Sequence, residues 1–120
     1  MSLTPEISWL EKMNDVMDIL WIQQRALAQN IANVNTPGFI RQTVDFAAEL
    51  KEALGDPSRP PSEIEIQDDL KASARVDGNS VNLEREMVEL AEVTQTYGSL
   101  ARLTAKNLSM ARIVITGGKG

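Results

Sequence analysis

Apolar residues recur at alternating intervals of three and four in two long stretches, one at each end of the chain. From Leu10 the spacing runs through Met13, Met17, Leu20, Gln24, Leu27, Ile31 and Val34, a heptad seam interrupted by Gln24. It predicts an amino-terminal helix within residues 1–34. Thr4 is placed to cap it, Pro5 suits the first helical position and Glu6 favours the positive dipole end. Ile19, Trp21, Ile22, Ala26 and Ala28 widen the apolar surface beyond the seam, so this helix is expected to meet more than one neighbour. The second seam, Leu83, Met87, Leu90, Thr94, Tyr97, Ala101, Thr104, Leu108, Ala111 and Ile115, predicts a carboxy-terminal helix with its tail over residues 82–120. Asn82 is its expected cap, with Glu84 and Glu86 in the first turn. The seam is poor in Leu and Ile, and Gly98 costs about 1 kcal/mol against Ala, so neither helix is expected to be stable alone.

Residues 35–81 lose this periodicity and read as an irregular connecting segment of the same structural unit. Phe39 to Val44 reads as extended. Asp45 is placed to cap a short helix from Phe46 to Leu54, with Phe46, Leu50 and Leu54 on one side and Gly55 stopping it. Asp56 to Ser62, with three prolines, is expected to be non-helical, exposed and mobile. Glu63 to Gln67 alternates like a strand and raises a possible β-hairpin. The fold expected is mainly α: two long antiparallel terminal helices in a coiled-coil-like pair. Charge favours the antiparallel sense, because the first helix begins acidic (Glu11, Asp15, Asp18) and the second turns basic late (Arg102, Lys106, Arg112).

Composition narrows the chemistry. The 120 residues hold no Cys and no His, which removes thiol nucleophiles, disulfides, imidazole bases and Cys/His metal sites together. Asp68 and Asp69 are adjacent and diverge, while Glu84, Glu86, Glu89 and Glu92 read as a solvated helix face, so no catalytic residue, cofactor or metal ligand is expected. A net charge of -5 argues against nucleic acid, and no 18-residue apolar run argues for membrane insertion. The first residues lack a basic region followed by an apolar one, so no cleaved secretory signal is expected.

The densest local signal is Ala28-Gln29-Asn30-Ile31-Ala32-Asn33-Val34-Asn35-Thr36-Pro37-Gly38-Phe39. Asn tolerates left-handed backbone and bonds to nearby main chain, Pro37 fixes φ and Gly38 frees the turn. Turn chemistry alone makes this a helix end with no further role. The stretch also resembles the amino-terminal signature of flagellar axial proteins, with Gln29 before Asn30 and Phe39 in place of the usual Tyr. A second stretch, Asp77-Gly78-Asn79-Ser80-Val81-Asn82-Leu83-Glu84-Arg85-Glu86-Met87-Val88-Glu89-Leu90, resembles the opening of the terminal helix in the proximal members of the flagellar basal-body rod protein family.

The resemblance implies a structural subunit without enzymatic activity, polymerising through its terminal helices in the periplasmic rod and transmitting torque. It implies as partners other copies of itself, other rod proteins, the adaptor at the membrane ring and the flagellar type III export apparatus. On it, Leu10, Met13, Met17, Leu20, Leu27, Ile31, Met87, Leu90, Tyr97 and Leu108 are expected at the assembly interface. Asn30, Asn33, Asn35, Thr36, Pro37, Gly38 and Phe39 form the family corner, expected to set subunit geometry. The alternative is a small helical coiled-coil adaptor or secretion chaperone.

Overall fold

A computed structural model of the chain describes residues 5–56 and 58–117. The molecule is elongated, 64 × 29 × 17 Å. Helix α1 (Pro5–Ala32) leads through a turn to strand β1 (Gln42–Thr43) and helix α2 (Phe46–Gly55). A 3-10 turn (Pro61–Glu63), strand β2 (Gln67–Asp68) and helix α3 (Leu83–Ile115) follow. The Thr4 cap and the end of the Gly-rich tail lie outside the described residues.

Local chemistry sets the described helix starts. Asp45 has extended backbone and its Oδ1 accepts from the Ala48 N–H, the expected cap of α2. Asn82 does the same for α3, accepting from Arg85 N–H at 3.1 Å. Gly117, at φ +65°, follows the end of α3.

α1 and α3 run antiparallel. Gln24 Nε2 donates to Thr94 Oγ1 at 3.2 Å, while Asn30 Nδ2, further along α1, donates to Glu86, further back along α3. The polar interruptions of the two seams therefore meet each other. Leu20, Leu27 and Val93 form the buried centre of the pair, with Val16, Phe46, Leu90, Tyr97 and Leu100 packed against it. A different stripe of α1 (Ile19, Ile22, Ala26) packs with Val44 against Phe46, Leu50, Ala53, Ile64 and Ile66. So α1 does meet two neighbours, as its wide apolar surface predicts, although Trp21 and Ala28 stay exposed.

The α3 seam differs from the predicted one at alternate positions. Leu90, Tyr97, Thr104 and Ala111 are partly buried as expected, yet Glu86 and Val93 are buried where Met87 and Thr94 were read, and Asn107 is more covered than Leu108. A buried partner for Glu86, described below, turns the first part of the helix by one residue. The opposite charges expected to steer the pairing form no ion pair between α1 and α3 among the described residues.

In the connecting segment the antiparallel strands pair Gln42 with Asp68 and Thr43 with Gln67, across the whole of α2 rather than around a tight hairpin turn. Ile64 and Ile66 face the core as their alternation predicts, and the ladder forms just beyond them. Leu54 is exposed, and Ala53 takes its place against α1. The segment after Gly55 is anchored rather than free: Arg59 pairs with Glu49 and donates to Glu63 O at 2.9 Å, while Glu49 accepts from Glu65 N–H.

Candidate functional site

The two sequence stretches that carried the resemblance lie against each other. α1 ends at Ala32 and the chain leaves it through a turn, with Val34 N–H donating to Ile31 O, Thr36 N–H to Asn33 O and Phe39 N–H to Thr36 O. The side chain of Asn79, fully buried, donates to three of the carbonyls at this end: Asn33 O at 2.8 Å, Val34 O at 3.2 Å and Thr36 O at 2.7 Å. Its Oδ1 accepts from Val81 N–H at 2.7 Å. Arg75 Nη2 also donates to Val34 O. The second stretch thus caps the first.

The main chains interlock at the same place. Gly38 N–H donates to Asp77 O, and Ser80 N–H to Phe39 O, both at 2.9 Å. Gly38 and Gly78 both have positive φ, +75° and +81°. A Cβ on Gly78 would stand 3.3 Å from the Gly38 Cα, whereas one on Gly38 would meet nothing within 4 Å. Gly78 therefore owes its identity to a close approach as well as to its backbone, and Gly38 to its backbone alone.

Beneath this corner sits a buried charge cluster. Arg41 Nε donates to Glu86 Oε1 at 2.6 Å, Nη1 to Asp69 Oδ2 at 2.5 Å, and Nη2 to Glu86 and Glu89 at 3.3 Å each. Glu86 is completely buried and also accepts from Asn30 Nδ2 at 3.1 Å. Asn30 completes its bonding on Gln42: its Oδ1 accepts from Gln42 N–H at 2.7 Å and its Nδ2 donates to Gln42 O at 2.8 Å. Arg41 N–H reaches Ser80 Oγ at 2.8 Å. One guanidinium thus ties the first turns of α3 to the end of β2, with Asn30 holding α1 to α3 and to β1. No buried side-chain polar atom among the described residues lacks a partner.

The electrostatics follow from these bonds. The Glu86 hydrogen bond raises the Arg41 pKa above its ordinary value against the opposing effect of burial, with Asp69 and Glu89 adding to it. Burial pushes Asp69 upward, but bonds from Arg41 and the Lys71 N–H, with the charges of Arg41 and Arg85, leave it below the usual carboxylate range. Far along α1, Asp15 and Asp18 are both raised, first by burial and then by Glu11 and Asp15 respectively.

Of the predicted corner, Asn30 is buried at the centre of the cluster. Asn33 Nδ2 donates to Gln29 O at 2.8 Å and its Oδ1 accepts from Thr36 Oγ1. Pro37 and Gly38 form the exposed turn with Phe39 half-buried behind it. Asn35 is exposed and makes no side-chain hydrogen bond among the described residues; the main-chain bonds expected of the motif's asparagines come from Asn33, and from Asn79 in the other stretch. Of the predicted interface residues, Leu20 and Leu27 are buried between α1 and α3, while Leu10, Met13, Met17, Ile31, Leu90 and Tyr97 are partly covered. Met87 and Leu108 are exposed.

The reading of Glu86 and Glu89 as a solvated face is corrected by the structure, because Arg41 reaches them from the connecting segment. The signal was present: Glu86, Leu90, Val93, Tyr97 and Leu100 are themselves spaced four and three, which puts a charge on the seam and calls for a buried partner. Among the described residues no group of three or more His, Cys, Asp or Glu is placed to hold a metal ion, and no helix is long and apolar enough to cross a membrane.

A long antiparallel helix pair, locked at one end by a fully bonded junction and carrying open apolar surface along the other, defines a helical structural protein. Its relatives agree. The chain is 32% identical to the flagellar basal body rod protein FlgB of Borrelia hermsii, covering 82% of this chain and 89% of that one. It is 28% identical to FlgB of Escherichia coli, over 79% and 84%, and 25% identical to that of Bacillus subtilis, over 92% and 95%. No protein-family model matches. The chain belongs to the FlgB family of flagellar basal-body rod proteins and is a structural component of that rod.

Proposed function

We propose that the chain polymerises through its terminal helices into the proximal rod, stands in the periplasm beside other rod proteins and the adaptor at the membrane ring, and transmits torque there. It arrives through the flagellar type III export apparatus. The observation that carries this reading is the uncovered apolar surface of α3, where Leu108, Met110, Ile113, Val114 and Ile115 are about half exposed or more. A long helix with such a surface is what a polymer interface buries. The junction at the other end supports the mechanical part, because a torque-bearing subunit needs its helix pair, corner and connector to turn as one piece.

Deletion of the gene tests the proposal. Basal bodies from the deletion strain are expected to lack a rod and the cells to be non-motile, with both restored by the wild-type gene. Basal bodies with a complete rod in the deletion strain would overturn it. A second variant, Met110→Glu with Ile113→Glu, is expected to keep the circular dichroism of the wild type and to restore neither, since both residues are exposed.

A further inference from the structure

The charge complementarity between α1 and α3 is not used inside the chain. Arg102, Leu103, Lys106 and Met110 are exposed on α3, as is Glu92 nearer its start. These residues lie on the side of the helix away from Leu90, Val93, Tyr97 and Leu100, which face α1. None of Glu92, Arg102 and Lys106 makes an ion pair among the described residues. On α1 a third face remains after α3 and α2 have taken theirs. It carries Trp21, 48% exposed, with the Arg25 guanidinium stacked 5.2 Å from its ring centre and Ala28 beside them.

The heights of these groups match. The Gln24–Thr94 and Asn30–Glu86 bonds fix which residues of α1 and α3 stand level. By that register Arg25 is level with Glu92 and the exposed Glu11 with Lys106, while Asp15 turns toward the Arg59–Pro61 segment. We infer that the outer face of α3 docks on the Trp21–Arg25 face of α1 in a second copy standing level with the first, Glu92 against Arg25 and Lys106 against Glu11. This rests on the polymerisation proposed above and names the faces that meet.

Two features commit the contact to another copy. Its charge order, acid then base along α3 and acid then base along α1, is complementary only when the helices are antiparallel, as neighbours related by a rotation present them. Trp and Arg together on an open face are the residue types that anchor interfaces. The two faces differ, so the contact is heterologous: each copy uses α3 toward one neighbour and α1 toward the other, and the series propagates as a ring or helix instead of closing as a dimer.

The absence of cysteine makes the test clean. A chain carrying Ala28→Cys and Val88→Cys, both exposed and level with each other, is treated with a short bismaleimide in purified basal bodies. A ladder of dimers, trimers and higher species is expected from the double variant and from neither single variant. A ladder from one single variant, or monomers only from the double variant in rods of swimming cells, would overturn the contact. In parallel, Arg25→Glu and Glu92→Arg are each expected to reduce swarming to the level of the deletion strain, and their combination in one chain to restore at least half of the wild-type diameter. Normal swarming by both single variants overturns the contact and leaves the rod reading standing. Basal bodies that contain no trace of the chain overturn both.

Discussion

The two ends of this molecule are built from opposite materials. Where α1 stops and α3 starts, nearly every contact is polar and satisfied: Asn79 on three carbonyls, Arg41 on three carboxylates, Asn30 on Gln42 and Glu86. At the far end α3 carries exposed Leu108, Met110, Ile113 and Ile115 and, among the described residues, no ion pair. A buried polar network specifies one arrangement because any other leaves a charge unpaired. An apolar surface tolerates several arrangements and waits for something to cover it. The first end makes a subunit with one shape; the second leaves it something to bind with.

The largest break in that contrast comes from Arg41→Met. It strands Glu86 in a buried site, at a cost of about 3–5 kcal/mol, and a denaturant melt should show a midpoint far below wild type or no cooperative transition. Asn79→Ala follows, removing the side-chain bonds to Asn33 O, Val34 O and Thr36 O and leaving the buried Val81 N–H without its partner, at about 1–3 kcal/mol, read from the same melt. The glycines rank next. Gly38→Ala pays for positive φ alone, about 1–2 kcal/mol, whereas Gly78→Ala adds the crowding against Gly38 and should lose measurably more. Equal losses would mean that the close approach relaxes freely.

Acid should act on the two regions with opposite sign. Asp69 is held below its ordinary pKa, so its contribution is complete above that value and fades as pH falls through the folded one. Asp15 and Asp18 are held above theirs, so the folded state binds their protons more tightly and the penalty they impose eases as pH drops through that window. In a pH series, Asp69→Asn should flatten the acid loss, and Asp15→Asn with Asp18→Asn should raise stability at neutral pH. The smallest effect belongs to the open end: Leu108→Ala and Ile113→Ser should each stay within about 0.5 kcal/mol in the free chain.

What the sequence revealed divides along the same line. The Asp45 and Asn82 caps and the two long helices were legible because each rests on residues a few positions apart or on a repeated spacing, whereas the antiparallel sense was read from charges that form no ion pair between α1 and α3 among the described residues. Arg41 was not singled out, since its partners stand 28, 45 and 48 positions away and nothing local marks a lone arginine in an extended run. The one-residue rotation early in α3 has the same origin. Met87 reads as the seam residue on hydropathy, and Glu86 displaces it only because Arg41 is waiting. The corner motif was visible as turn chemistry, but its cap, Asn79, lay in the other stretch, so each half of the junction looked complete by itself.

The Asn79 cap also orders events in time. A chain that emerges amino end first, from a ribosome or from any narrow channel, presents the turn after α1 when Asn79 is still 43 to 46 residues behind. Arg41 likewise appears before all three of its acids. The opening third of the protein therefore cannot complete its final corner until about residue 89 is free. A junction that stiffens the finished subunit is, by the same bonds, one that stays incomplete while the chain is still emerging.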